Sequence, residues 1–170
     1  MDHYKYIGSP EFLPQGEFPP RWKVDSLDSV ADWMNDHVGE MDLEECIAAT
    51  FVVSTIEELW IAERATEHVA CARQKPVLCA GEIFFSGVGD VPFVERVTNQ
   101  STGYCPRPES FTALAIAFET IGISHPDCFE PEFEFRRCRD CGTLAIVKEQ
   151  EFTCLVCDSE LPEEWNLSEE

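Results

Sequence analysis

CRDCGTLAIVKEQEFTCLVC, residues 138–157, contains two pairs of cysteines, and each pair has two residues between its members. A tight turn between paired cysteines aims both thiolates at one point, and the amides of the turn can donate hydrogen bonds to sulfur. Four thiolates complete a tetrahedral Zn²⁺ site and leave no position for water. The spacing therefore predicts one structural zinc ion, bound by Cys138, Cys141, Cys154 and Cys157. Disulfides and an iron–sulfur site are the competing interpretations.

The residues between the two cysteine pairs predict a short hairpin. Leu144 to Val147 and then Phe152 and Thr153 have the pattern of a short hairpin that joins the two cysteine turns, with its turn at residues 148–151. This pattern is typical of a zinc ribbon, a unit too small to fold by core burial alone. We predict a zinc-ribbon module over residues 131–170. Its four basic side chains, at 136, 137, 139 and 148, are outnumbered by acidic ones, which disfavours nucleic acid as its ligand.

Residues 25–130, upstream of this module, predict an α+β core domain. Asp25 and Ser26 can cap a helix that runs to about Val38, and Pro108 opens a second helix that ends at Gly122. β-Branched and apolar runs predict four strands between them, at 49–55, 59–62, 77–85 and 91–97. Consecutive strands with short turns favour an antiparallel β-meander packed by the two helices.

Residues 1–24 are rich in proline and aromatic side chains, which disfavours helix. We expect this segment to be an extended arm on the surface of the core domain, with a free tail as the alternative. The N-terminus lacks the basic and apolar regions of a signal peptide, and no apolar run approaches the roughly 20 residues that a membrane helix needs.

The chain carries nine cysteines and a formal net charge of −21 in 170 residues. An odd cysteine count disfavours a disulfide framework and favours a reducing, cytoplasmic location. Cys71, Cys79 and Cys128 are predicted to be small buried residues. So acidic a surface repels phosphate backbones and anionic lipid, and it favours a protein partner, in particular a basic one. Solubility alone is the alternative explanation of the charge.

Three polar segments are candidates for a ligand pocket: residues 67–72, 80–82 and 98–106. They contain the candidate ligand-binding residues His68, Glu82, Asn99, Ser101 and Tyr104. The alternative is structural: a histidine bonded into a turn, and a loop that satisfies its own backbone. Cys105 is a further candidate, as a nucleophile with His68 or His125 as its base, but no local signature accompanies it. Deaminase, phosphate-loop and zinc-protease motifs are absent from the sequence.

These same segments carry a resemblance. Together with residues 135–138, 161–162 and 165–166, they resemble an uncharacterised family of small bacterial zinc-ribbon proteins over about two-thirds of the chain. More distantly, the run from His68 to Pro106 is similar to plant IQ-motif calmodulin-binding proteins and to bacterial toxin-like proteins. Those proteins have Ser-Gly-His-Tyr where this chain has Thr102-Gly103-Tyr104, without the histidine. The resemblance implies a shared β-rich core and assigns no activity.

Two functional hypotheses follow. The first is a non-enzymatic protein-interaction or adaptor module that binds a protein partner, in particular a basic one, with an immunity-like role as one version. The second is an enzyme or small-ligand sensor with a pocket near His68, Glu82 and Asn99–Tyr104. The lack of a catalytic set in the sequence favours the first.

Overall fold

The computed structural model describes residues 1–167, so the last three residues of the predicted ribbon module lie outside the described part. The helices are α1 (Leu27–Asp36), α2 (His68–Cys71) and α3 (Phe111–Ile121). The strands are β1 (Trp22–Val24), β2 (Ile47–Ser54), β3 (Leu59–Glu63), β4 (Val77–Ser86), β5 (Phe93–Thr98), β6 (Glu134–Arg137) and β7 (Leu144–Val147). Short 3₁₀ turns occur at Pro10–Phe12, Val38–Glu40 and Pro108–Ser110.

The fold is α+β, with an antiparallel five-stranded sheet in the order β1-β3-β2-β4-β5. The predicted meander is wrong, because β4 pairs with β2 and not with β3. The segment 64–76 between β3 and β4 is not a short turn. It contains α2 and is long enough to reach the far edge of β2, which therefore becomes the central strand.

Helices α1 and α3 contact one face of the sheet. The side-chain oxygen of Ser26 accepts a hydrogen bond from the amide of Ser29 and caps α1, as the sequence predicted. The helix ends at Asp36, so Val38 lies in the following turn and is 48% exposed. Gly122, with φ 77°, ends α3. The buried side chains of both helices join one hydrophobic cluster with the sheet.

The N-terminal segment contacts the opposite face of the sheet. The backbone of Tyr4 pairs with Val77, and the amide of Ile7 donates to the carbonyl of Gly103. Residues 22–24, the end of the predicted arm, form the edge strand β1 against β3. With α2 and the loop 99–106, this segment buries Val52, Ala80 and Tyr104 in a second apolar cluster. The sheet is thus covered on both faces, which fits the near-continuous apolar sequence of β2 and β4.

Two of the three cysteines that the sequence predicted to be buried are buried. Burial raises the pKa of the Cys71 and Cys79 thiols to about 12, so both stay protonated and unreactive at neutral pH. The prediction for Cys128 is wrong, because this residue lies exposed in the irregular segment before β6. No helix within residues 1–167 is long and apolar enough to cross a membrane.

The C-terminal module has its own two-stranded sheet, in which β6 pairs with β7. Lys148 and Glu151 form a bridge across a tight turn, where Glu149 and Gln150 have φ of 51° and 62°. The predicted turn is therefore confirmed. The main pairing partner of β7 is β6, which precedes the first cysteine pair, and not the segment that follows the turn. A small cluster of Cys138, Cys154 and Leu161 is the apolar centre of the module.

Candidate metal centre

The four paired cysteines converge at one point. The sulfur atoms of Cys138, Cys141, Cys154 and Cys157 all lie within 4.8 Å of one another, and those of Cys138 and Cys157 are 3.6 Å apart. A disulfide would bring two sulfurs to about 2 Å. Tetrahedral coordination with metal–sulfur distances of about 2.3 Å sets the sulfur atoms roughly 3.8 Å apart. The cluster therefore fits a metal ion held by four thiolates.

The two cysteine turns have the same backbone geometry. The carbonyl of Cys138 accepts a hydrogen bond from Gly142, and the carbonyl of Cys154 accepts one from Asp158, at 3.0 and 2.8 Å. The donor in each turn has positive φ, 74° for Gly142 and 59° for Asp158. Glycine adopts this conformation without strain, and aspartate tolerates it better than most other residues.

The four sulfur ligands are unequal in exposure. Cys138 and Cys154 are buried, whereas Cys141 and Cys157 lie at the surface. Hydrogen bonds from the side chain and amide of Thr143 lower the pKa of the Cys141 thiol, whereas burial and contacts with the sulfurs of Cys157 and Cys141 raise the pKa of Cys138. A thiol that ionises readily is suited to metal binding, because the ligand is the thiolate.

Arg136 attaches the C-terminal segment to this module. Its guanidinium is 5% exposed and donates to the carbonyls of Pro162 and Glu163 at 3.1 and 2.7 Å. It also pairs with the carboxylate of Glu134 at 2.7 Å. A charge this buried is tolerated because its donors are satisfied. Asn166 continues the attachment by exchanging two hydrogen bonds with the backbone of Arg137, at 2.9 and 2.8 Å.

Asn99 joins the module to the core. Its fully buried amide group donates to the carbonyls of Pro106 and Phe133, at 3.0 and 2.8 Å, and accepts from the amide of Phe133 at 2.8 Å. The side chain thus holds the loop 99–106 and the start of the module together. The sequence singled out Asn99 as a candidate ligand-binding residue, and the structure places its polar atoms in contacts within the chain.

Replacing Asn99 by alanine is expected to lower the free energy of unfolding by about 2–3 kcal/mol, because three hydrogen bonds disappear and their partners lose buried contacts. Denaturant unfolding of the metal-loaded protein measures the change. Gln100→Ala is the matched control, since Gln100 is exposed, and its effect should stay within about 0.5 kcal/mol. Equal stability of the two variants would contradict the joining role of Asn99.

His68 and Glu82 lie close together but use their polar groups locally. His68 begins α2, and its Nε2 atom donates to the carbonyl of Gly81 at 2.9 Å. Burial lowers its pKa, which favours the neutral ring at neutral pH. Glu82 forms an ion pair with Arg64 at 3.3 Å. These contacts favour the structural interpretation of a histidine bonded into a turn.

The loop 99–106 is likewise satisfied internally. The hydroxyl of Tyr104 donates to the carbonyl of Lys75 at 2.8 Å, and the fully buried Ser101 accepts hydrogen bonds within the loop. Cys105 is fully buried, and burial raises the pKa of its thiol to about 12. A thiol in this state is a poor nucleophile. The polar groups of the five candidate ligand-binding residues therefore contact the chain itself. Of the five, Tyr104 also lines a cavity of about 350 Å³, together with Tyr4 and Trp165.

A cleft of about 470 Å³ lies where the loop, β6 and the C-terminal segment meet, and none of those five residues lines it. Two of its charged groups contact each other: Arg107 pairs with Glu109 at 3.4 Å, and the Arg107 guanidinium lies 5.4 Å from the centre of the Trp165 ring.

A scan against protein-family models, a search of curated proteins and a search of solved structures each found no match to the chain.

Proposed function

We propose that the ion of the cysteine cluster is Zn²⁺ in a structural role and that residues 131–167 form a zinc ribbon. An all-sulfur, four-ligand set suits zinc and leaves no site for a reacting water. The apolar centre within the C-terminal module is small, and its other buried side chains, Phe135 and Leu167, pack against Cys105 of the core, so metal binding is expected to supply a large part of the folding free energy around the cysteine turns. The repeated geometry of the two cysteine turns supports this assignment.

We further propose that the protein is a non-enzymatic adaptor that binds a basic protein partner. The observation that carries this proposal is an acidic face, which we define as Asp28, Asp32 and Asp36 on α1 with Glu40, Asp42, Glu44 and Glu45 after it. All seven side chains are exposed. Residues 24–63 contain eleven Asp and Glu and no Lys or Arg, so about half of the net charge originates there.

The position of these charges argues against solubility as their only role. Asp28, Asp32 and Asp36 are four residues apart, so like charges are neighbours on α1 and destabilise it. Asp36 also lies at the helix C-terminus, where the helix dipole disfavours a negative charge. Two aliphatic side chains lie exposed within the acidic face, Val38 at 48% and Leu43 at 104%. Carboxylates around exposed aliphatic groups suit a protein surface that carries both lysine or arginine and apolar contacts.

Several cations elsewhere in the chain are engaged in holding the fold together. Arg21 donates to the carbonyl of Cys71 and lies 3.8 Å above the Trp60 ring. Arg73 donates to the carbonyl of Pro19. These contacts fix the N-terminal segment, so the two guanidinium groups do not serve the acidic face.

The acidic face is tested by neutralising three carboxylates together, in Asp28→Asn/Asp32→Asn/Asp36→Asn. Proteins that the wild-type chain captures from a lysate of its source cells at low salt should include a basic protein, and its purified form should bind the variant roughly tenfold or more weakly. Wild-type binding should weaken steeply with added salt, and the variant should show a shallower dependence.

Glu17→Gln/Glu119→Gln/Asp127→Asn is the matched control, because it removes the same charge at exposed positions outside the acidic face. Its affinity should stay within about twofold of wild type if position, and not net charge, decides binding. Failure to recover a basic partner, or equal losses in the two triple variants, would contradict the proposal. The enzyme or sensor alternative has no comparable support, because its candidate residues are engaged within the chain.

A further inference from the structure

The two cysteine turns share a backbone geometry but present different side chains to solvent. The first turn has Arg139 and Asp140 between its cysteines, and the second has Leu155 and Val156. Leu155 is 75% exposed and Val156 is 67% exposed. We call these two side chains the aliphatic tip. Polar residues suffice for this turn, as the first copy shows, so turn geometry does not account for the two aliphatic groups.

The aliphatic tip stands on a rigid base. Cys154 and Cys157 flank it directly, and the turn is closed by the hydrogen bond from Asp158 to the carbonyl of Cys154 at 2.8 Å. A side chain on a fixed backbone loses little conformational entropy when a partner covers it. Apolar groups in such positions are efficient anchors, since covering them removes apolar surface from water.

The charge around the tip selects among possible occupants. The exposed acidic residues Asp140, Glu151, Asp158 and Glu160 belong to the same module and outnumber its exposed basic residues, Arg139 and Lys148. Four thiolates with one Zn²⁺ add a formal charge of −2. A second copy of this chain would bring the same negative charge to the contact, in addition to the net −21 of each molecule. An apolar pocket rimmed by lysine or arginine complements the tip in both shape and charge.

We propose that the aliphatic tip of the zinc module is a second anchor for the basic partner and inserts into an apolar pocket of that protein. The inference rests on the proposed adaptor function. It adds a contact in which Leu155 and Val156 are buried against apolar groups of the partner. The acidic face accelerates and orients the encounter, whereas the tip slows dissociation.

Site-specific photocrosslinking tests the contact on the full chain with its metal bound. Leu155 is replaced by p-benzoylphenylalanine. In a control protein the same photoreactive residue replaces Arg139, which occupies the equivalent position of the first turn. A lysate of the source cells should give an adduct from position 155 that is absent from position 139. The adduct should contain the same basic protein that the acidic face requires. An adduct at neither position, or equal adducts at both, would overturn the inference.

Binding of that purified partner provides the quantitative test. Leu155→Ser/Val156→Ser should weaken affinity by roughly tenfold or more, mainly through faster dissociation, with an unchanged salt dependence and an unchanged zinc content. Arg139→Ser/Asp140→Ser is the matched control and should stay within about twofold of wild type. If the tip variant binds as tightly as wild type while the acidic-face variant binds more weakly, the tip is not an anchor, and the proposed adaptor function is unaffected. Salt-independent binding of the wild type would remove the adaptor function itself.

Discussion

Replacing Cys154 by serine is expected to abolish stoichiometric zinc binding and to unfold residues 131–167, while the α+β core stays folded. Cys154 is fully buried, and its sulfur is 3.7 Å from that of Cys141. Serine supplies no thiolate, so the remaining three ligands lose most of a metal-binding free energy that is about 10–16 kcal/mol in zinc-finger peptides. The apolar centre around the cysteine turns is small, and the contacts of Phe135 and Leu167 with the core do not replace the lost metal bonds.

Elemental analysis of the purified variant and amide hydrogen exchange of the two parts of the chain check this result. Zinc should fall from one equivalent per chain to a small fraction, and protection should disappear across β6 and β7 while β2 and β4 remain protected. Cys128→Ser is the matched control, because Cys128 is exposed and does not belong to the cysteine cluster. A wild-type protein that contains no zinc, or a Cys154→Ser variant with a protected module, would refute the structural role of the ion.

Gly81→Ala is expected to destabilise the core domain by about 3 kcal/mol or more. Gly81 lies in β4, and a Cβ atom added there would overlap the carbonyl oxygen of Thr98 in β5. Since the obstacle is backbone and not a flexible side chain, relief requires the two strands to separate. The carbonyl of Gly81 also accepts the hydrogen bond from His68, so strand displacement disturbs α2 as well.

Gly39→Ala controls for the general effect of removing a glycine, because a Cβ atom at Gly39 has no neighbour within 4 Å. This variant should be neutral or more stable by up to about 1 kcal/mol. Chemical denaturation of both variants, with zinc bound, gives the comparison. Similar unfolding free energies for the two alanine variants would contradict the close approach of β4 and β5.

Local signals in the sequence were sufficient for most elements. Ser26 and Gly122 marked helix ends, and the β-branched runs marked β2, β3 and β4 because capping and strand preference act between near neighbours. The sequence predicted a strand over residues 91–97, but β5 begins at Phe93, because Val91 and Pro92 belong to the connection that precedes it. The cysteine spacing predicted the convergence of four sulfurs without knowledge of the rest of the fold.

Contacts between distant segments were not predictable in the same way. The placement of β4 beside β2 depends on a connection of 13 residues, 64–76, whose route is decided by what the sheet can bury. The anchoring of Pro162 by Arg136 likewise depends on which segment returns to β6. The sequence analysis treated Arg136 as one of several basic residues and as part of a segment that carries the resemblance. Its burial, with hydrogen bonds to the carbonyls of Pro162 and Glu163, follows from tertiary packing, which residue types alone do not specify.

Asn99 forms hydrogen bonds across the boundary between the core and the module. Because of these bonds, the stability of the core and the stability of the module depend on each other. If metal binding at the cysteine cluster stabilises the ordered loop 99–106, then ordering of the loop must increase the metal affinity of the cluster by the same free energy. A core that stays folded without the ion is therefore expected to be less stable than the same core with the ion bound, including in parts that never approach the metal.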